Sequence, residues 1–141
     1  VVETSIGLDR MFLAILSSSY NEEELENNTS RVVLKIPPFL APYKLAVLPL
    51  VKKDGLSKFA KKLFSALKLK YNVTYDEKDA IGRRYRRQDS IGTPICITVD
   101  HETLIDGSVT LRNRDTMLQN RVKIEDLNDN IDPLVNMSAF L

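Results

Sequence analysis

The feature that most constrains the fold is an apolar stretch followed closely by an amphipathic one. YKLAVLPLV, residues 43–51, is hydrophobic almost throughout, which is typical of a strand buried on both faces of a sheet. After the turn KKDG, residues 56–70 place apolar side chains at intervals of three and four with lysines between them. This spacing predicts an amphipathic helix. A buried strand followed by such a helix favours a layered α/β domain with parallel strands.

The same alternation continues to the end of the chain. Further strands are predicted at 71–76, 93–100, 108–114 and 119–124. Further helices are predicted at 81–90, where Gly92 would be the C-terminal cap, and at 125–141, while residues 101–107 read as a turn. The order predicts three parallel strands joined by right-handed crossovers, followed by an antiparallel pair. The expected fold class is therefore α/β, with a mixed five-stranded sheet flanked by about three helices.

The first part of the chain has a different pattern. Residues 1–6 predict a short strand, and residues 7–20 predict a helix that is apolar on most sides and needs burial in a larger body. The acidic segment 21–30 reads as a connection, and 31–36 as a short strand stopped by two prolines. We therefore expect a domain boundary after residue 36. The first residue is Val rather than Met, which indicates a piece of a longer chain.

Charge is distributed unevenly along the sequence. Residues 1–30 hold one basic and six acidic side chains, residues 31–123 hold nineteen basic and nine acidic, and residues 124–141 hold four acidic and no basic. A basic middle predicts a polyanion partner, although an unevenly charged solvated surface would have the same composition.

Composition also limits the classes of function. No apolar run reaches the roughly 20 residues that a membrane span requires, so we expect no membrane partner. One cysteine, Cys96, excludes an internal disulfide and fits the cytoplasm, and one histidine, His101, leaves a Cys/His metal site without enough ligands. No catalytic constellation occurs in residues 43–141. We therefore predict neither a metal site nor catalytic residues in this chain.

The stretch IGRRYRRQDSIG, residues 81–92, concentrates arginine more than any other part of the sequence. At about 100° per residue, its four arginines spread around a helix, so two or three at most can face one ligand. Arginine donates paired hydrogen bonds to phosphate and to base edges. The alternative is that these arginines pair with nearby acids such as Asp79 or Asp89. Two more arginines, Arg112 and Arg114, alternate on a predicted strand and would extend a basic surface.

The opening VVETSIGLDR resembles motif 3 of class II aminoacyl-tRNA synthetases, in which a strand enters a helix through a Gly-x-Asp/Glu-Arg turn. Together with APYKLAVLPLVKKDGL, DAIGRRYRRQDSIG and TLRNRD, it makes the chain similar to glycyl-tRNA synthetases of the dimeric type, over residues 1 to about 127. The resemblance implies that residues 1–36 are the end of a catalytic domain (motif 3 strand and helix) plus a linker. Residues 37–141 would be the anticodon-binding domain.

The resemblance also implies roles for single residues. Arg10 and Gly7 would contact ATP, and Glu3 and Ser5 would contact glycine. The anticodon of tRNA(Gly) would be bound by Arg83, Arg84, Arg86, Arg87, Asp89, Arg112 and Arg114. Glycine anticodons share two cytosines, for which Arg offers donors and Asp offers an acceptor.

The full-length enzyme implied by the resemblance is a homodimer that uses ATP, with Mg²⁺, to attach glycine to tRNA(Gly) through glycyl-adenylate. Class II motifs 1 and 2 are not present in this sequence, so we expect the piece alone to be inactive and to need no cofactor. One alternative is a non-catalytic, synthetase-derived subunit that binds nucleic acid, of the polymerase accessory type. The presence of Glu3, Ser5 and Arg10 favours the enzyme. A protein-interaction domain of the same fold is a third possibility, and it predicts no salt-dependent RNA binding.

Overall fold

The computed structural model describes residues 2–25, 29–53 and 55–137. The helices are α1 Leu8–Ser19, α2 Leu56–Leu67, α3 Ile81–Ile91, the short α4 Thr103–Asp106 and α5 Leu127–Val135. The strands are β1 Tyr20–Leu25, β2 Thr29–Leu34, β3 Leu45–Pro49, β4 Val73–Tyr75, β5 Ile95–Val99, β6 Ser108–Asn113 and β7 Gln119–Lys123. Single 3₁₀ turns occur at Pro38–Leu40 and Ile124–Asp126.

Five strands form one mixed sheet in the order β4-β3-β5-β6-β7. The central strand β3 runs parallel to both β4 and β5, while β6 is antiparallel to both β5 and β7. The predicted α/β class, the five strands and the parallel-then-antiparallel order are therefore confirmed. The buried apolar strand that follows residue 43 is at the centre of the parallel part, as its composition requires.

Helices cover both faces of this sheet. Because side chains alternate along a strand, Leu45 and Val47 of β3 point to one face and Ala46 and Leu48 to the other. On the first face, α2 and α5 complete the main core, contributing Leu56, Ala60, Leu63, Leu67, Leu127, Ile131 and Val135. On the second face, Ala46, Leu48 and Cys96 pack against Ile81 and Tyr85 of α3. The arginine-rich helix is thus seated on the sheet by its few apolar residues.

Two predictions for the first part of the chain are wrong. Val1 lies outside the described residues, and 2–6 are exposed and form no strand, because no described residues supply a neighbouring strand for their backbone. Of the predicted connection at 21–30, residues 21–25 belong to β1 and residues 29–30 to β2, and the two strands pair from Tyr20↔Leu34 to Leu25↔Thr29. Residues 26–28 lie outside the described part.

The helix predicted at 7–20 is present as α1, and its apolar side chains face solvent. Leu8, Met11, Phe12 and Leu13 are all exposed, Phe12 to 61%. The last predicted helix is shorter than expected, since α5 ends at Val135, and 138–141 lie outside the described residues. The predicted turn at 101–107 contains the single helical turn α4.

Gly92 ends α3 in the left-handed conformation, with φ of +84°, which confirms the predicted cap. A Cβ at this position would lie 2.8 Å from Cγ2 of Ile36 and 3.1 Å from the carbonyl oxygen of Leu34. The chain leaving β2 therefore passes directly over the end of α3, and a side chain at residue 92 would collide with it.

We predict that Gly92→Ala lowers the free energy of unfolding by about 2 kcal/mol or more, because left-handed strain adds to a clash with the Ile36 side chain and a tight contact with the Leu34 carbonyl oxygen. Gly82→Ala is the matched control, since nothing lies within 4 Å of its Cβ. That change should be neutral or stabilising by up to about 1 kcal/mol, because alanine favours the helix. Urea denaturation of both variants measures the difference, and equal effects would contradict the close approach.

Candidate nucleic-acid interface

Arg84 is on α3 but does not face solvent. Its side chain is 3% exposed and runs under the helix toward the end of β3. There the guanidinium donates hydrogen bonds to the carbonyl oxygens of Pro49 and Leu50, the latter at 3.1 Å. Arg84 therefore ties α3 to the carboxyl end of the central strand.

Asp89, also on α3, is fully buried between two arginines. Arg112 of β6 donates to both carboxylate oxygens, with Nη1–Oδ1 at 2.7 Å and Nη2–Oδ2 at 3.0 Å. Arg31 of β2 donates to the same Oδ2 at 3.0 Å, and it also pairs with Glu23 of β1. Ionised paired groups of this kind make the stronger class of hydrogen bond. One carboxylate thus joins the hairpin, the helix and the sheet.

Arg114 is buried at the junction of three segments. Its Nη1 donates to the carbonyl oxygens of Ile36 at 2.9 Å and Gly92 at 2.8 Å, and its Nε pairs with Asp115 at 2.8 Å. Four of the seven residues that the sequence predicts for the anticodon are therefore buried in internal contacts, namely Arg84, Asp89, Arg112 and Arg114.

The other three predicted arginines are exposed on α3, and they are not equivalent. Arg87 pairs with Asp76 at 2.9 Å and with Asp79 at 3.3 Å. Arg83 and Arg86 make no ion pair with any residue of the described ranges 2–25, 29–53 and 55–137. Their guanidinium groups therefore keep their full hydrogen-bonding capacity for a ligand.

Arg83 and Arg86 line a cavity of about 470 Å³ between α3 and strands β6 and β7. Tyr85 and Arg112 form part of its wall, and the Arg112 guanidinium lies 4.7 Å from the centre of the Tyr85 ring. The Tyr85 hydroxyl is 2.6 Å from Oγ1 of Thr98, and burial raises the pKa of this phenol. We call this space the α3 cavity. Its three guanidinium groups beside an aromatic ring suit a phosphate or an unstacked base.

A second polar cluster adjoins residues 101–107, for which the sequence predicted only a turn. Arg121 of β7 donates to Asp100, with Nη2–Oδ1 at 3.0 Å, and its Nε donates to the Ser108 hydroxyl at 2.6 Å. Burial alone would raise the pKa of Asp100, but hydrogen bonds from Arg121 and Thr103 outweigh it and the pKa is lowered. The cluster forms because β6 and β7 pair so that Thr110 lies opposite Arg121. No local sequence pattern predicts this long-range contact.

The residues predicted for ATP and glycine lie on the N-terminal segment. Glu3, Ser5, Gly7 and Arg10 are all exposed, the last at the start of α1. Neither Glu3 nor Arg10 forms an ion pair within the described residues. Their assigned roles remain predictions.

Removing the charge of Asp89 should be costly. Asp89→Asn keeps the size of the side chain but leaves two buried guanidinium groups with too little negative charge, so we expect a loss of about 3–5 kcal/mol in the free energy of unfolding. Asp79→Asn is the control, because its pair with Arg87 is exposed on both sides and such pairs contribute about 1 kcal/mol or less. Similar urea midpoints for the two variants would contradict a structural role for Asp89.

Two further properties bear on the class of site. Within the described part of the chain, no helix is long and apolar enough to cross a bilayer. In the same part, no three His, Cys, Asp or Glu side chains are grouped so that they could hold a metal ion.

The family model described as an anticodon binding domain matches residues 44–133, which span the whole sheet and most of α5. The fold also superposes on a solved structure, the RNA binding domain of threonyl-tRNA synthetase from Cryptosporidium parvum, with a TM-score of 0.64. That match has 22% sequence identity and covers 71% of this chain and 25% of the other, so it shows a shared fold.

Curated relatives named glycine-tRNA ligase are much more similar in sequence. The protein of Clostridium acetobutylicum is 56% identical over 90% of this chain and 27% of its own length. The protein of Borrelia hermsii is 52% identical over 90% of this chain and 28% of its own length. The protein of Rhodopirellula baltica is 51% identical over 99% of this chain and 27% of its own length. The chain spans a little over a quarter of the length of these relatives. It belongs to the anticodon-binding domain family and resembles the member of that family found in glycine-tRNA ligases.

Proposed function

We propose that this chain is the part of a glycyl-tRNA synthetase that binds the anticodon loop of tRNA(Gly), and that a nucleotide of the loop enters the α3 cavity. The single observation behind this proposal is that Arg83 and Arg86 are exposed at the cavity and make no ion pair within the described residues, while Arg84 and Arg112 are buried in internal contacts. Single-stranded loops offer unstacked bases and phosphates to such groups.

The three arginines of the cavity differ in how strongly other side chains hold them in place. Arg112 is fixed by Asp89 and by the Tyr85 ring, so its guanidinium plane is oriented before any ligand arrives. Arg83 and Arg86 are free to move, so they can follow a phosphate or a base edge. Because Arg112 is already held in place, little conformational entropy is lost when it binds a ligand. Arg83 and Arg86 can adjust their positions to the ligand that Arg112 orients.

The buried predicted residues would then act by positioning. Asp89 orients Arg112, and Arg84 and Arg114 hold the two ends of α3, while Arg87 is restrained by two acids. Glu102 is an exposed carboxylate 3.5 Å from the Arg121 guanidinium, and it offers an acceptor for the amino group of a cytosine.

The activity of the whole enzyme is part of the proposal. It would attach glycine to tRNA(Gly) through glycyl-adenylate as a homodimer in the cytoplasm, with ATP and Mg²⁺ as in glycine-tRNA ligases. Arg10 and Gly7 would contact ATP, and Glu3 and Ser5 would contact glycine. Support comes from the similarity to those ligases, which covers 90% of the chain for the Borrelia hermsii protein and 99% for the Rhodopirellula baltica protein. The domain division after residue 36 also remains a proposal, since Arg31 of β2 is buried against Asp89.

The test is a titration of the chain with two RNA stem-loops, one with a glycine anticodon and one with both shared cytosines replaced. We expect the chain to prefer the cytosine loop by about 1–3 kcal/mol per base read. The double variant Arg83→Gln/Arg86→Gln should bind more weakly and lose preference. Fluorescence anisotropy at fixed salt measures both effects, because affinity for RNA depends on ionic strength.

Arg87→Gln is the matched control, because it removes the same charge from the same helix at a position already paired with Asp76 and Asp79. It should weaken binding less than either Arg83→Gln or Arg86→Gln. An equal loss for all three single variants would mean that only total charge matters, and no preference in the unmodified chain would refute anticodon recognition.

A further inference from the structure

A second positive surface lies on the other face of the sheet from the α3 cavity. It is a groove of about 840 Å³ formed by α2 together with Lys52 and Gly55, which precede it, and it is lined by Lys52, Lys58, Lys61 and Lys62. We call it the α2 lysine groove. The proposed function makes no use of it, although it is larger than the α3 cavity.

The lysines of this groove have few acidic partners. All four are exposed, and α2 contains no acidic residue. Lys61 approaches Glu77 only to 3.9 Å, and Glu77 already accepts a hydrogen bond from the Tyr75 hydroxyl at 2.6 Å. The other three make no ion pair within residues 2–25, 29–53 and 55–137. Among the described residues, negative charge at the groove is thus lower than the positive charge.

Helical spacing makes this excess unfavourable for the free protein. Lys58 precedes Lys61 by three residues and Lys62 by four, and like charges at these spacings are neighbours that repel. The opposite side of α2 is anchored in the core by Leu56, Ala60, Leu63 and Leu67, so the helix stays formed and keeps these lysines next to one another. A bound polyanion would remove the repulsion.

The groove and the α3 cavity use different cations. The groove has four lysines and no arginine, whereas the cavity has three arginines and no lysine. Lysine is a flexible point charge that attracts phosphate without fixing its orientation, while the planar arginine fork can recognise a base edge. The composition of the groove therefore fits contacts with the phosphates of a nucleic acid, which carry no information about base sequence.

Topology places the two surfaces so that one RNA can reach both. Strands β3 and β4 are parallel, and each leads directly into the helix after it, α2 and α3 respectively. Both helices therefore begin at the same edge of the sheet. An RNA lying across this edge has one helix on each side.

We propose that the α2 lysine groove binds the sugar-phosphate backbone of the tRNA next to its anticodon loop and does not read its sequence. This inference rests on the proposed function, because the same RNA must occupy the α3 cavity. The favoured partner is RNA because the matched anticodon-binding family model includes both helices.

The experiment compares the salt dependence of stem-loop binding in two double variants with equal loss of charge. Lys58→Gln/Lys62→Gln removes two groove lysines, and Lys68→Gln/Lys123→Gln removes two lysines outside the groove. For the groove variant, the slope of log K against log salt concentration, which is negative, should become less steep by about 0.7–0.9 for each lost contact. Between about 50 and 200 mM salt, the affinity loss would then be roughly eightfold smaller than in the unmodified chain.

The control variant should keep the slope of the unmodified chain, and both variants should keep its urea midpoint and its preference for the cytosine loop. If the slopes of the two variants agree while the unmodified chain prefers cytosine, the groove inference fails and the proposed function stands. If the salt dependence of binding weakens in the groove variant alone, but neither the variants nor the unmodified chain prefer the cytosine loop, the proposed function fails and the groove still binds RNA. Binding to phosphatidylserine vesicles that only the groove variant loses, with unchanged RNA slopes, would assign the groove to membranes and overturn the proposal.

Discussion

The buried carboxylate of Asp89 is the interaction on which the arrangement of this domain depends. It holds Arg112 of β6 through two hydrogen bonds and Arg31 of β2 through a third, so three elements that are distant in sequence meet at one charge. A buried ion pair of this kind is not a large net source of stability, but removing one member leaves the others uncompensated. Its main consequence is a fixed position for α3 between the hairpin and the sheet.

That fixed position determines which arginines of α3 can meet a ligand. The helical period turns Arg84 toward the carbonyl groups at the end of β3 and leaves Arg83 and Arg86 in solvent. Arg112 belongs to both sets, because Asp89 binds it on one side and it lines the α3 cavity on the other. The wall of the α3 cavity is therefore an extension of the buried ionic network, and a change in the network alters the cavity as well.

The sheet and its helices could be predicted from the sequence because their signal is local. The apolar run of β3 and the spacing of Leu56, Ala60 and Leu63 each specify an element without knowledge of its neighbours. The β1–β2 hairpin could not be predicted, because its polar residues are stabilised by pairing and by Arg31, whose partner Asp89 is 58 residues away. For the same reason the arginine cluster could be found but not divided into buried and exposed members.

The central claim is this division of the arginines, and the most direct test is nuclear magnetic resonance of their side-chain Nε–H groups during titration with the glycine anticodon stem-loop. Arg83 and Arg86 should show shifted resonances as the RNA is added, because they are the free groups at the α3 cavity. Arg31 and Arg84 should keep theirs, because both side chains are buried and their guanidinium groups are held by internal hydrogen bonds, through Nη atoms in the case of Arg84. Shifts at Arg31 or Arg84 as large as those at Arg83 and Arg86 would contradict the account.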